Sequence, residues 1–355
     1  MTGATNTTMY REAAEASGKV QNQLRRNADA LAALAERLRA SPPAAMVTIA
    51  RGSSDHAATY ARYLVETRLG ILSSSLSPSI FSVFKAPLSL EGMLCLAISQ
   101  SGRSPDLLAA ATAARDSGAI VVALVNDPDS PLAEIASVLL PQGAGPEKSA
   151  AATKSYITSL SAIAQMVALW SGDEAMQVAL GQLPSALAEA WEEDWSSGVE
   201  MLRTADHLYT VGRGLHLAVA QEAAHKLKET CMIHAEAYSS AEVLHGPNEL
   251  AGEGFPVLLF RSEDAGDASV QEAAKRLAAQ GASVMMAGGG DPGALPVPRA
   301  PQAGGVFLIE PHASEQTHQR RRCLLAARSR PAGRRRPRHR QRGARADRRR
   351  GGRGR

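Results

Sequence analysis

Cysteine is scarce in this sequence: Cys95, Cys231 and Cys323 are the three among 355 residues. They are too few and too scattered for a disulfide framework, and they show no paired metal-ligand pattern. Long apolar runs are missing too. Stretches such as Val257-Leu258-Leu259-Phe260 have strand length, far from the roughly 20 residues of a spanning helix, so no membrane passage is expected. The opening Met1-Thr2-Gly3-Ala4 lacks the basic-then-apolar order of a signal peptide, and a reducing cytoplasm is the expected location. No Gly-Lys-Ser/Thr triplet and no glycine-rich dinucleotide fingerprint comes after a strand-like run, which argues against nucleotide binding. No metal or other cofactor is expected.

Charge is plentiful but uneven. From Arg320 to Arg355 there are 17 arginines, no lysine and one acid, Asp347. Taking these from the chain totals of 39 and 35 leaves 22 basic and 34 acidic residues in positions 1–319, a net of −12. The body of the chain is therefore acidic, and its overall basic balance says nothing for nucleic-acid affinity. With 45% hydrophobic and 21% charged residues, the body has enough apolar content for two folded domains.

Residues 1–40 place Ala13, Val20, Leu24, Ala28, Leu31, Leu34 and Leu38 mostly three and four apart, which predicts a helical lead-in. After Pro42-Pro43, Met46–Ala50 reads as a strand, Arg51-Gly52-Ser53-Ser54 as a turn, and Asp55–Leu69 as a helix. The unit recurs as Met93–Ile98, Ser99–Arg103 and Ser104–Ser117, with the strand Ile120–Val125 after it. A long helix is predicted over Ala150–Trp170, and a helical connector over Pro184–Leu202. The pattern then restarts: His207–Val211, Gly212-Arg213-Gly214, a helix to about Met232, Val257–Phe260, a helix near Ala268–Gln280, and Ala282–Met286. Strands alternating with helices predict α/β architecture: two tandem, doubly wound parallel domains at 41–175 and 201–312, joined by 176–200.

Four places carry groups suited to chemistry. Ser99-Gln100-Ser101-Gly102-Arg103-Ser104-Pro105 ends a strand and starts a helix, with Ser104 at the N-cap and Pro105 at the first helical position. Hydroxyls, an amide and free N–H groups at a positive helix end suit a phosphate; the same residues equally describe a serine-capped turn. Gly52-Ser53-Ser54 takes the equivalent strand-end place, where open parallel sheets bind ligands. Lys226 and Glu229, at i and i+3, share a helix face, as a proton-moving carboxylate with a neutralising lysine or as a surface ion pair. His245 lies in a Gly-Pro loop, where an imidazole can serve as acid or base near pH 7.

With these segments the chain resembles the sugar isomerase (SIS) domain family, which includes the isomerase half of glucosamine-6-phosphate synthase and stand-alone deaminases. The resemblance runs in order through Gly52-Ser53-Ser54, Ser99–Gly102, Glu147–Lys154, Gly212-Arg213-Gly214, Lys226–Glu229, His234–Tyr238 and His245-Gly246-Pro247. It implies that each domain is a SIS domain. It implies that Ser54, Ser99, Gln100, Ser101 and Ser104 hold a sugar phosphate, that Glu229 moves a proton between C1 and C2, and that His245 helps to open the ring. Lys226 would sit near the sugar hydroxyls. In the synthase that histidine comes from the neighbouring subunit, so a homodimer with shared active sites is implied. The synthase also has a glutaminase cysteine directly after its initiator; here Thr2 comes after Met1. The expected reaction is therefore release of ammonia from glucosamine 6-phosphate to give fructose 6-phosphate. Action on a fructosamine phosphate, or sugar-phosphate sensing without catalysis, are the alternatives.

Family members end in a helix and a short lysine-containing tail, whereas Lys275 is the last lysine here. From Arg320 onward, Arg, Ala, Gly and Pro make up 29 of 36 residues. The segment 313–355 cannot build a core and is expected to be disordered. Its composition fits a shifted reading frame of GC-rich DNA that begins near His312–Gln319. A natural arginine-rich arm for nucleic acid is the rival reading, disfavoured by the acidic body. The other two frames of the coding DNA should reveal a lysine-containing family tail; neither frame doing so would overturn the frameshift.

Overall fold

The computed structural model describes residues 7–149 and 151–298. Three helices lead in: α1 (Thr8–Ala14), α2 (Ala16–Arg26) and α3 (Ala28–Ala40). Their periodic apolar residues are the buried ones, Val20 and Leu31, Leu34 and Leu38 among them. The first sheet comes next, as β1 (Met46–Ile49), α4 (Ser53–Leu69), β2 (Ser73–Ser75), α5 (Ser79–Ser82), β3 (Leu94–Ser99), α6 (Pro105–Asp116), β4 (Ile120–Val125), α7 (Pro131–Ile135) and β5 (Val138–Pro141). All its strands are parallel, in the order β2-β1-β3-β4-β5. Strands buried on both faces need apolar residues in both directions. In β3, Leu94, Leu96 and Ile98 pack on the α3/α4 side, while Cys95 and Ala97 face α6.

The chain then forms α8 (Lys154–Ser171), α9 (Glu174–Glu192) and α10 (Ser196–Arg203) before the second sheet. That sheet comprises β6 (His207–Gly212), α11 (Leu215–Cys231), β7 (His234–Ser239), β8 (Pro256–Phe260), α12 (Asp267–Ala279) and β9 (Ser283–Ala287). Its order is β7-β6-β8-β9, again parallel. The two halves meet where α4 packs on α11. The almost fully buried α8 lies against α4 on one side and the lead-in helices on another, and its Tyr156 hydroxyl donates to the Ala218 carbonyl of α11 at 3.2 Å.

The internal repeat extends to backbone conformation. Gly52 caps α4 with φ 55° and ψ −133°, and Gly214 caps α11 with φ 58° and ψ −126°. Both lie in a region that side-chain-bearing residues avoid, which explains why each strand-to-helix turn carries glycine there.

Three features depart from the sequence expectation. The helix expected from Ala150 starts at Lys154, because Glu147 Oε1 accepts from the backbone N–H groups of Thr153 (2.6 Å) and Lys154 (2.7 Å) and so caps the helix from outside it. The helix expected from Pro184 begins at Glu174: Asp173 caps α9 through Met176 N (2.9 Å), and Pro184 lies inside the helix. The strands β2, β5 and β7 lie outside the predicted ones. In β7, His-Ala-Glu-Ala-Tyr-Ser has little intrinsic strand preference, and the parallel register with β6 along its whole length creates it. The expected disordered arginine-rich segment lies outside the described residues.

Gly102 has φ +63°, and a Cβ there would overlap the Ser130 hydroxyl and approach Val125 Cγ2 to 2.9 Å. Gly18 lies in α2 with open space around it. Gly102→Ala should lower the unfolding free energy by about 2 kcal/mol or more, whereas Gly18→Ala should raise it by about 0.5–1 kcal/mol; urea unfolding midpoints test both.

Candidate active site

In an open parallel sheet the strand order reverses between the first strand and its later neighbour, and the loops leaving those two strands diverge. Here the reversal falls between β1 and β3. A cavity of about 280 Å³ opens there, bounded by Gly52–Ser54 after β1, Ser99–Ser101 and Ser104 after β3, Ser155 and Tyr156 of α8, and His225, Lys226 and Glu229 of α11. The second half of the chain thus closes a crevice that the first sheet makes.

One wall is rich in hydroxyls. Ser99 Oγ accepts from Gly102 N (3.0 Å) and Ser101 Oγ from Arg103 N (3.4 Å), which shapes the loop ahead of the α6 start. Each hydroxyl that accepts keeps its O–H to donate. Ser104 occupies the N-cap of α6 without a capping hydrogen bond from its side chain. The N-termini of α4 and α6 adjoin this wall, and their dipoles favour an anion. Arg51 reaches across to Asp106 of α6 at 3.2 Å.

The opposite wall is a chain of titratable groups. Lys226 is buried, with Nζ 3.2 Å from Glu222 Oε1, 3.3 Å from Glu229 Oε2 and 3.2 Å from Ser53 Oγ. The other oxygen of Glu222 contacts His56 Nδ1 of α4 at 2.7 Å. Burial pushes the Glu222 carboxyl up, but Lys226 and His56 outweigh it and hold it at about 2. A carboxylate only accepts, so His56 Nδ1 carries the proton. Glu229 stands at the mouth, its second oxygen 3.2 Å from His225 Nε2.

Ser54, Ser99, Gln100, Ser101, Ser104, Lys226 and Glu229 therefore share one cavity. His245 does not: it is exposed on the loop after the turn Glu242–Leu244 and is absent from the cavity lining. Sequence reasoning missed Glu222 and His56, and gave His225 no role of its own; Ser53 belongs to the strand-end turn already singled out. Glu222 stands four residues before Lys226, a pairing distance on a helix, so its signal was present. His56 gave none, because its partner is 166 residues away. Behind the cavity, Glu12 of α1 accepts from Lys148 N (2.6 Å) and Ser149 N (3.1 Å), fixing the loop that leads to α8.

In the second sheet, the loop that leaves β8 pairs its polar groups with one another and with the start of α12. Asp264 Oδ1 accepts from Gly266 N (2.7 Å) and Ser262 Oγ (2.6 Å) at the start of α12, and Arg261 binds Asp267 through two nitrogens at 2.9 and 2.7 Å. A carboxylate already sits where the first half leaves room for an anion.

Among known families, the SIS domain matches residues 42–169 and 201–287. Glutamine–fructose-6-phosphate aminotransferase [isomerizing] of Symbiobacterium thermophilum is 36% identical over 227 residues, 61% of this chain and 37% of that protein. The chain thus spans well under half the length of that curated relative. A protein of Silicibacter pomeroyi assigned as a phosphosugar isomerase superposes with a TM-score of 0.83 at 43% identity, over 91% of this chain and 98% of the other. The glucosamine-6-phosphate deaminase of Thermotoga maritima, at 19% identity and a TM-score of 0.71 over 90% of this chain and 95% of the other, shares the fold.

The folded-state value of Glu222 lies below its ordinary 4.5, so its contribution to stability is present above about pH 4.5 and fades as pH falls toward 2. Glu222→Gln should remove that part of the acid-unfolding profile. It should also lower stability at pH 7 by about 3 kcal/mol, since buried Lys226 keeps only the more exposed Glu229 as its anion. Urea unfolding across pH 2–7 measures both.

Proposed function

The chain belongs to the SIS domain family, and from that membership we propose that it is an aldose–ketose isomerase of amino-sugar phosphates, releasing ammonia from glucosamine 6-phosphate to give fructose 6-phosphate. The observation that carries the reading is the Lys226–Glu229 pair facing a serine-rich strand-end turn across one cavity. A phosphate on the hydroxyl wall, held by Ser54, Ser99, Gln100, Ser101 and Ser104, would extend the sugar toward α11.

In the open-chain sugar the proton on C2 is acidified by the C1 aldehyde. Glu229 takes that proton as general base, and the electrons move to O1 to give an enolamine. Lys226 offsets the charge that develops on oxygen. Glu229 returns the carbon proton to C1 while O1 gains a proton from solvent and the C2 nitrogen gives one up, leaving an imine at C2, which water hydrolyses to the ketone and ammonia. One carboxylate at one place suffices, because C1 and C2 are adjacent. His245 would open the ring from a second copy of the chain, which accords with its exposed position away from the cavity of its own chain. The likeness to the Silicibacter protein, which covers nearly all of both chains, supports a phosphosugar substrate.

Glu229→Gln should lower ammonia and fructose 6-phosphate release from glucosamine 6-phosphate by about 10³-fold or more while leaving sugar-phosphate binding within a few-fold. Turnover at the wild-type rate in that variant would refute the role of Glu229. Binding without turnover in the wild-type chain would favour a sensor instead.

A further inference from the structure

Proton transfer by Glu229 uses the carboxylate beside Lys226 and leaves its other partner without a task. That partner is His225, whose Nε2 lies 3.2 Å from Glu229 Oε1 while Lys226 Nζ lies 3.3 Å from Oε2. We infer that His225 is a positioning residue for Glu229, sharing a proton with its carboxylate so that Glu229 is released as a base only while the imidazole is neutral. The inference rests on the proposed role of Glu229 as the proton-moving carboxylate.

The geometry supplies the reasons. His225 is half-buried and lines the cavity, with its side chain 27% exposed. Its ring stands edge-on to His56 at 5.3 Å between centroids, and the Gly52 turn lies beside it, a Cβ there falling at an ordinary contact distance of 3.6 Å from Nε2. The charged and titratable groups around it are Glu222, Lys226 and Glu229 on its own helix and His56 on α4. Arg51, on the turn before α4, also lines the cavity but pairs with Asp106 of α6, and α8 contributes the neutral Ser155 and Tyr156.

When Glu229 is ionised, it can only accept, so Nε2–H must donate to it. When Glu229 has taken a substrate proton on the oxygen beside Lys226, Nε2 keeps its own hydrogen and still donates to the other oxygen, so the contact holds the carboxyl in place through the proton shift. Protonating His225 from solvent places a second cation beside a carboxylate that already faces Lys226. Two cations lower the basicity of Glu229, so acid should switch the site off through His225. Burial acts in the same helpful direction by holding the imidazole below its usual range, which keeps the base available down to mildly acidic pH.

Two measurements on the full chain test this. In the first, the His225 ring is titrated by NMR in the wild type and in Glu229→Gln, with His225→Gln used to assign its signal apart from that of His56. Removing the carboxylate removes an anion that favours imidazolium, so the His225 midpoint should fall to lower pH in Glu229→Gln. An identical midpoint would overturn the shared proton. In the second, kcat/KM for glucosamine 6-phosphate is measured against pH in the wild type and in His225→Gln, whose amide can still donate to Glu229. The phosphate of the substrate titrates near pH 6, but equally for both proteins, so the ratio of the two profiles isolates the imidazole. That ratio should fall toward about tenfold per pH unit below the His225 midpoint; a ratio independent of pH would overturn the gating. If the chain turns over no amino-sugar phosphate yet the NMR midpoint shifts, the proton-sharing pair stands and the proposed reaction fails.

Discussion

A buried lysine joins the two halves of this protein. Lys226 is 1% exposed and is held among Glu222, Glu229 and Ser53. Three of these four residues belong to α11 in the second half, while Ser53 begins α4 in the first. An ammonium removed from water is tolerable only where anions and acceptors replace its hydration. Glu222 and Glu229 of α11 itself supply the anions, and α4 adds the Ser53 hydroxyl and, on the far oxygen of Glu222, His56. The constraint runs both ways, since the contacts of Ser53 and His56 with the cluster exist only when the halves are docked. The cavity, the orientation of Glu229 and the place of His225 all depend on that seam.

The repeat shows how one architecture yields two strand-end loops of different chemistry. Both sheets reverse strand order beside their first strand, and both use a glycine of nearly the same φ and ψ to start the next helix. The halves differ in the loop that leaves the neighbouring strand. After β3 the chain supplies serines and an amide, whereas after β8 it supplies Arg261, Ser262 and Asp264, which are satisfied by one another and by the start of α12. An anion arriving at the second crevice would have to displace a carboxylate already bound to a backbone N–H. At the first it meets hydroxyls with donors to spare. Asymmetry of side chains on a symmetric scaffold thus leaves the first crevice open to a phosphorylated ligand.

The support for that site reaches back to the N-terminal helices. Glu12 of α1 fixes the loop before α8 through two backbone N–H groups, and Lys154 at the head of α8 is buried against Glu15 (2.9 Å) and the Pro146 carbonyl (3.1 Å). Glu15 is held below the usual carboxylate range chiefly by its hydrogen bond from Lys154. These contacts place Ser155 and Tyr156 at the cavity floor. The lead-in helices are therefore part of the scaffold of the site.

Alternating strand and helix periods determined the parallel α/β architecture, because continuous apolar strands separated by amphipathic helices can be buried only in that way. Local chemistry likewise marked the glycine turns, the Ser104-Pro105 helix start and the Lys226–Glu229 pair, all of which depend on residues within a few positions of one another. Other features were set by distant partners. β7 is a strand because β6 lies beside it, α8 starts at Lys154 because Glu147 reaches across to cap it, and His56 meets Glu222 across 166 residues. In the sequence His225 has no role beyond membership of a charged segment; the docking of α4 against α11 put its ring between the Gly52 turn and Glu229. Periodicity reports which face of an element is buried, and short spacing reports which neighbours share it. Which two faces meet is decided only when the whole chain packs, and at this protein's cavity that meeting is the chemistry.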